Sequence, residues 1–301
     1  MRYTMIRTEH LTKQFANRTA VNGLSFEVEP GEIFGFLGMN GAGKTTTIRM
    51  LLDYVRPTEG RAYVLNLDTR RQSVSIRRQV GYMPQSLPMT PGVTGGQFLR
   101  YLARMRHTSD CWKRALDLAG QFQLDLNRPV AALSRSAQRA LALIQALMHD
   151  PELLILDEPT AGMDAETQSK VYPLLSAIRA DGRSVFMASS SLTEMERICD
   201  RVGLIHRGEL LSVERGVQLR SRALRRVEMR FAGPVNREAF TGIPNIQEIS
   251  LQDNLLRCTV KGDPDALIKT ASQFRVTDMI SQTPSLEEVF ANYYGVGPYA
   301  A

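Results

Sequence analysis

Along this chain, apolar and polar residues change their period three times. From residue 3 to 28 they alternate, most clearly in Leu24-Ser25-Phe26-Glu27-Val28, which predicts half-buried strands. Pro30-Gly31 predicts a turn, and the apolar run Ile33-Phe34-Gly35-Phe36-Leu37 behind it predicts a strand buried on both faces. Residues 45–52 read as a helix, and 60–64 as a short strand after the turn at 57–60. Between about 93 and 148 the period becomes helical: Phe98, Leu99, Leu102 and Met105 recur on one face, with Leu116, Leu118 and Phe122 following more loosely. Apolar strands are expected again at 153–156 and 184–188, each preceded by a helix. Helix followed by parallel strand predicts an α/β sheet covered on both faces.

Beyond about residue 220 the texture shifts once more. Strands are expected at 227–231, 255–260 and 276–280, and a helix at 263–274 starting at Asp263-Pro264. A last helix is expected at 285–294, between Pro284 and Gly295. These elements form a small α+β module, giving an organisation of 4–220, with a helical subdomain at about 93–148, followed by 222–301.

Composition narrows the classes. The chain has 301 residues, enough for one large core and a small one without disulfide support. No apolar run approaches the roughly 20 residues of a membrane span. Cys111, Cys199 and Cys258 are too scattered for a zinc site or redox pair. With no apolar signal-peptide core at the start, they lead to the expectation of a reducing cytoplasm. The net charge of +6 fits contact with an anionic membrane face or nucleic acid, and equally a solvated arginine-rich surface. Basic residues are spread widely; the densest group is Arg220, Arg222, Arg225 and Arg226.

The strongest chemical signal follows the strand at 33–37. Gly38-Met39-Asn40-Gly41-Ala42-Gly43-Lys44-Thr45 fits the pattern G-x-x-x-x-G-K-[ST] at every fixed position, with Thr46 opening the helix beyond. Glycines let the backbone wrap a triphosphate, with successive N–H groups facing its oxygens and a helix N-terminus behind them. Lys44 would reach the β- and γ-phosphates, and the Thr45 hydroxyl would coordinate Mg²⁺. A second apolar strand ends in Asp157-Glu158. Carboxylates at a parallel strand's C-terminal end face the ligand crevice, where Asp157 would hold Mg²⁺ through water and Glu158 would act as general base. In isolation the alternative reading of the pair is a strand followed by a surface acidic turn; the phosphate loop beside it counts against that reading.

Taken in order, the phosphate loop, Gly81-Tyr82-Met83-Pro84-Gln85, Leu133-Ser134, Leu156-Asp157-Glu158-Pro159-Thr160 and Ala161-Gly162-Met163-Asp164 resemble the ATP-binding subunits of ABC transporters. The likeness is closer still to the stand-alone subunits of drug and lipid exporters. The tail Pro284-Ser285-Leu286-Glu287-Glu288-Val289-Phe290 is similar to the end of the accessory domain many of them carry. The resemblance implies a P-loop NTPase fold of the ABC type, an α/β core with a smaller antiparallel portion and a helical subdomain. It implies ATP and Mg²⁺ as ligands, a separate transmembrane permease, pairing as a homodimer or heterodimer, and a cytoplasmic place at the inner membrane face. It also implies roles: Phe15 stacks on adenine, unless it is a core residue; Gln85 meets Mg²⁺ or the attacking water; Ser134 binds the partner's γ-phosphate; and Asp164 belongs to the loop that crosses between subunits.

Two positions depart from the family. In Leu133-Ser134-Arg135-Ser136-Ala137-Gln138, Ser136 replaces a glycine whose backbone approaches phosphate. After the strand at 184–188, Ser190 stands where the family has a histidine, and none of His10, His107, His149 and His206 is near in sequence. Serine can hydrogen-bond but carries no charge near neutral pH. The expectation is an exporter subunit that binds ATP tightly and hydrolyses it slowly. The alternatives are a nucleotide-gated regulatory subunit with little catalysis, or a non-transport ABC protein acting on ribosomes or DNA; the single phosphate loop and the lack of extended heptads count against the latter, and no nucleic-acid partner is expected.

Overall fold

The structure, a computed structural model, describes residues 3–87, 91–106, 110–216 and 224–282. The helix expected at 285–294, the tail from Pro284, His107, Arg220 and Arg222 lie outside the described residues. The chain divides into two compact units, Met1–Val213 and Glu214–Ala301, a boundary somewhat before the texture change at residue 220.

Two sheets build the first unit. β1 (Ile6–Phe15), β2 (Arg18–Val28), β4 (Glu59–Val64) and β5 (Leu67–Asp68) form an antiparallel sheet in the order β2-β1-β4-β5. The alternation read from the sequence is the pleat of β2: Leu24, Phe26 and Val28 are buried while Ser25 and Glu27 face solvent. The second sheet runs β10-β9-β3-β8-β7-β6, from β3 (Ile33–Leu37), β6 (Val80–Met83), β7 (Leu153–Asp157), β8 (Ser184–Ser189), β9 (Arg201–His206) and β10 (Glu209–Arg215). β6, β7, β8, β3 and β9 pair in parallel. Every residue of β3, β7 and β8 is buried, which explains their unbroken apolar sequences. Phe26 of β2 stacks on Phe34, Phe36 and Phe186, with ring centroids 5.4 to 5.9 Å apart, and this cluster joins the two sheets.

Seven helices among the described residues complete this unit: α1 (Lys44–Leu51), α2 (Ser73–Gln79), α3 (Gly95–Arg106), α4 (Cys111–Gln121), α5 (Arg135–Leu147), α6 (Ala165–Ala180) and α7 (Leu192–Ile198). The helical stretch expected over 93–148 is thus three helices, and α4 and α5 are separated by irregular backbone. There the Asn127 N–H bonds to the Asp125 carboxylate at 3.0 Å and Pro129 leads into a 3₁₀ turn, Val130–Ala132, so turn chemistry overrides the apolar period. No helix among the described residues is long and apolar enough to cross a membrane.

What positions the chemistry is register. Leu37 pairs with Ser189, Asp157 with Ala188 and Met83 with Leu156. The segments leaving β3, β6, β7 and β8 therefore emerge side by side at the carboxyl edge of one parallel sheet, where α/β folds place ligands.

The second unit is an antiparallel sheet in the order β12-β13-β11-β14, from β11 (Leu224–Phe231), β12 (Ile246–Gln252), β13 (Leu255–Lys261) and β14 (Val276–Gln282). With α8 (Asp265–Ala271) it encloses Phe231, Phe240, Leu256 and Leu267. β12 escapes the sequence reading because its register slips between Gln247 and Ser250, where Glu248 has φ +54°, so its apolar residues do not alternate.

Candidate nucleotide-binding site

The loop leaving β3 is shaped by glycines that nothing else can replace. A Cβ on Gly38 would fall 2.4 Å from the Ile205 carbonyl oxygen, and Gly43, at φ +109°, would meet the Ala20 carbonyl at 2.6 Å. Gly43 caps α1, so the helix N-terminus opens onto the loop. Lys44 folds back over that loop: its Nζ donates to the carbonyls of Gly38 at 2.6 Å and Met39 at 3.1 Å, and lies 3.2 Å from Glu158 Oε1. The Thr45 hydroxyl donates to Asp157 Oδ2 at 2.8 Å.

Asp157 is fully buried at the end of β7, and its Oδ1 has no hydrogen-bond partner among the described residues. Burial raises its pKa, opposed by the Thr45 bond and by the charges of Lys44 and Arg139. Glu158, the next residue, turns sharply: φ is +50°, and its N–H donates to the Ala188 carbonyl at 2.8 Å. Its second oxygen accepts from Ser190, from the backbone N–H at 3.2 Å and the hydroxyl at 3.4 Å.

A cleft of about 560 Å³ gathers most of the residues singled out from the sequence. Phe15, Asn40, Gly41, Gly43, Lys44, Thr45, Thr46, Gln85 and Glu158 line it, together with Arg18 and Ala20. Phe15 is 47% exposed, which excludes the core alternative, and the Lys13 ammonium lies 4.9 Å from its ring centre. Ala42 is buried within the loop rather than lining the cleft. Asp157 is bonded to Thr45 and Ser190 to Glu158, so both adjoin it.

Ser134 and Asp164 are not among the residues lining this cleft. Each caps a helix. Ser134 Oγ accepts from the Ala137 N–H at 3.2 Å at the start of α5, and Asp164 accepts from the Thr167 N–H at 2.8 Å at the start of α6. The Thr167 bond is the main cause holding the Asp164 carboxyl down at about 2. Ser136, in the first turn of α5, ties that turn to the α6 cap: its hydroxyl donates to Thr167 Oγ1 at 2.9 Å and accepts from the Asp164 N–H at 3.3 Å. Ser136 does not have positive φ, so the serine enters without backbone strain.

Three residues at the site were missed. Arg18 lines the cleft next to Ala20. Glu194 is buried on α7, accepts from the Thr160 hydroxyl at 2.8 Å, and has a pKa raised by burial. Arg139 is buried on α5 behind the carboxylates. The available signal was an arginine inside the apolar face formed with Leu143 and Leu147.

Comparison with known proteins decides the family. Residues 21–161 match the ABC transporter family model. The bacitracin transport ATP-binding protein BcrA of Bacillus licheniformis is 35% identical over 211 residues, covering 69% of each chain. The chain belongs to the ABC transporter family. The Nod factor export ATP-binding protein I of Rhizobium etli is 29% identical over 298 residues, 97% of this chain and 94% of its own. Among solved structures, a dimeric bacterial ABC transporter cassette superposes with a TM-score of 0.65 at 24% identity, over 70% of this chain and 98% of its own. The protein is an ABC transporter ATP-binding subunit, and an ATP hydrolase with the P-loop NTPase fold. In this ABC subunit the phosphate loop, Gln85 and the carboxylates that end β7 occupy one end of the parallel sheet.

Proposed function

We propose that this subunit drives export through a separate membrane-spanning permease, held at the inner membrane face, and pairs with a second cassette. The reading is carried by the cleft in which the phosphate loop, Gln85 and Glu158 meet. The names of the relatives, one for Nod factor export and one for bacitracin transport, support it. In the pair, Ser134 and Asp164 face the partner's nucleotide, consistent with their position outside the cleft of their own chain.

ATP enters with adenine against Phe15 and its phosphates in the loop of Asn40, Gly41, Ala42, Gly43, Lys44, Thr45 and Thr46. Mg²⁺ fits the donors present: a buried carboxylate with one unpartnered oxygen at Asp157, and neutral oxygens at Thr45 and Gln85, the hard ligands this ion takes beside phosphate and water. Bound there, it would neutralise charge on the phosphates. Lys44 exchanges its Glu158 partner for the γ-phosphate, which leaves Glu158 to accept a proton from the attacking water while Gln85 orients that water. Ser190 steadies Glu158 but supplies no charge at the γ-phosphate, so hydrolysis is slow. Closure with ATP and reopening after hydrolysis switch the permease between states.

Sedimentation of Glu158→Gln with and without MgATP tests the pairing. A nucleotide-dependent doubling of mass supports a homodimer. A monomer at saturating ATP contradicts self-pairing and requires a different second cassette.

A further inference from the structure

Arg139 bridges two segments of the site through main-chain carbonyls alone. Its Nη1 donates to the carbonyls of Pro84 at 2.7 Å and Gln85 at 2.6 Å. Its Nη2 donates to those of Asp157 at 3.1 Å and Glu158. All four terminal protons of the guanidinium are thereby used, in a residue only 7% exposed.

The reason for an arginine lies in the sheet. The β6–β7 ladder has its last rung at Met83 and Leu156, and Pro84 has no N–H with which to extend it. Beyond that rung the two strands part, one toward Gln85 and the other into the left-handed turn at Glu158. The carbonyls of Asp157 and Glu158 bond to Arg139 in a buried setting and those of Pro84 and Gln85 in a part-buried one, and all four take their donor from this side chain. A planar fork with paired protons on each terminal nitrogen meets two carbonyls on each side; an ammonium, a single point, does not.

We infer that Arg139 is a positioning residue that fixes Gln85 relative to Glu158, so that the water-orienting and proton-accepting side chains move as one unit. It sits one turn into α5, whose N-cap is Ser134 and whose first turn holds Ser136. A shift of that turn, the part facing a partner cassette, is therefore passed by one side chain to both halves of the site in its own chain. The inference rests on the roles of Gln85 and Glu158 proposed above.

The test compares wild type, Arg139→Lys, Arg139→Gln, Gln85→Ala, Glu158→Gln and the double variant Arg139→Lys/Gln85→Ala. Nucleotide affinity is read with a fluorescent ATP analogue, and kcat and KM by steady-state hydrolysis. In Arg139→Lys, affinity and KM stay within about threefold while kcat falls by on the order of 10²-fold, the usual consequence of a misplaced catalytic group. The double variant is no slower than the slower single one. An Arg139→Lys enzyme with wild-type kcat, or effects that multiply in the double variant, overturns the inference. Activity retained in Glu158→Gln overturns the site reading beneath it; an inactive Glu158→Gln beside a wild-type Arg139→Lys overturns this inference alone. Hydrogen exchange on the wild-type chain needs no variant: amides of 85–86 and 157–158 should open together, and independent opening contradicts the coupling.

Discussion

The backbone N–H and the hydroxyl of Ser190 both donate to one carboxylate oxygen of Glu158, at 3.2 and 3.4 Å. The other Glu158 oxygen faces Lys44 at 3.2 Å, so the carboxylate is held between a serine and the phosphate-loop lysine. Because the backbone N–H survives any substitution but proline, Ser190→Ala should change kcat by no more than about threefold, the modest worth of one long neutral hydrogen bond. If the proposed site reading holds, Ser190→His adds an ionisable donor beside the γ-phosphate and should raise kcat by about tenfold or more, a fraction of what such groups commonly supply. Steady-state phosphate release at saturating ATP measures both; a histidine variant no faster than wild type contradicts the assignment.

Thr45 donates to an oxygen of a fully buried carboxylate. Thr45→Val keeps the shape and leaves Asp157 Oδ2 without that donor, costing about 1–3 kcal/mol of stability by urea unfolding. Calorimetric ATP titration should show an affinity loss on the order of 10–100-fold with Mg²⁺ and little change in EDTA. Equal losses in both buffers would contradict a role for Thr45 at the metal.

The Ser136 hydroxyl links the first turn of α5 to the cap of α6. Ser136→Gly removes both bonds and adds a flexible residue to the first turn of a helix, which should lower stability by about 1–2 kcal/mol. If the serine side chain also holds the partner's phosphate away, kcat of the paired form should rise although the fold weakens. Thermal unfolding and hydrolysis measured on one preparation test this opposition; a parallel fall of both would refute it.

His149 lies behind β6, its Nε2 3.3 Å from the Val80 carbonyl, and its pKa is lowered to about 4, first by burial and then by Arg106. A histidine with a folded pKa below its unfolded value takes up its proton more readily in the unfolded chain. Its effect is therefore a loss of stability as pH falls from about 6.5 toward 4, on the order of 3 kcal/mol when complete. Raised carboxyl pKa values at Glu32, Asp157 and Glu194 act in the opposite direction, so the difference between wild type and His149→Gln isolates the histidine. Urea midpoints from pH 7.5 to 4.5 should fall less steeply in the variant; parallel curves would exclude it.

Much of this molecule was legible because its signals are local. β3 and β7 were readable because burial on both faces demands apolar residues throughout, and the loop after β3 because close backbone approach leaves only glycine at Gly38 and Gly43. Signals set by distant partners were not. Arg139 stands out in the sequence only as an arginine on the apolar face of α5, and what it binds is not visible until the carbonyls at 84–85 and 157–158 are placed around it. β12 hides behind its bulge, and the break before α5 lies in turn residues scattered through an apolar period. The contact of Ser190 with Glu158 joins the ends of β7 and β8; the family resemblance singled out Ser190 as standing at a histidine position, but sequence spacing reveals nothing of this contact.

The most direct measurement is ATP hydrolysis by the purified full chain and by Glu158→Gln, in Mg²⁺ and in EDTA. Slow, Mg²⁺-dependent turnover is expected in wild type and none above background in Glu158→Gln, with ATP binding retained. Wild-type turnover in Glu158→Gln would show that Glu158 is not the base and that the cleft between Lys44 and Ser190 is not organised as described.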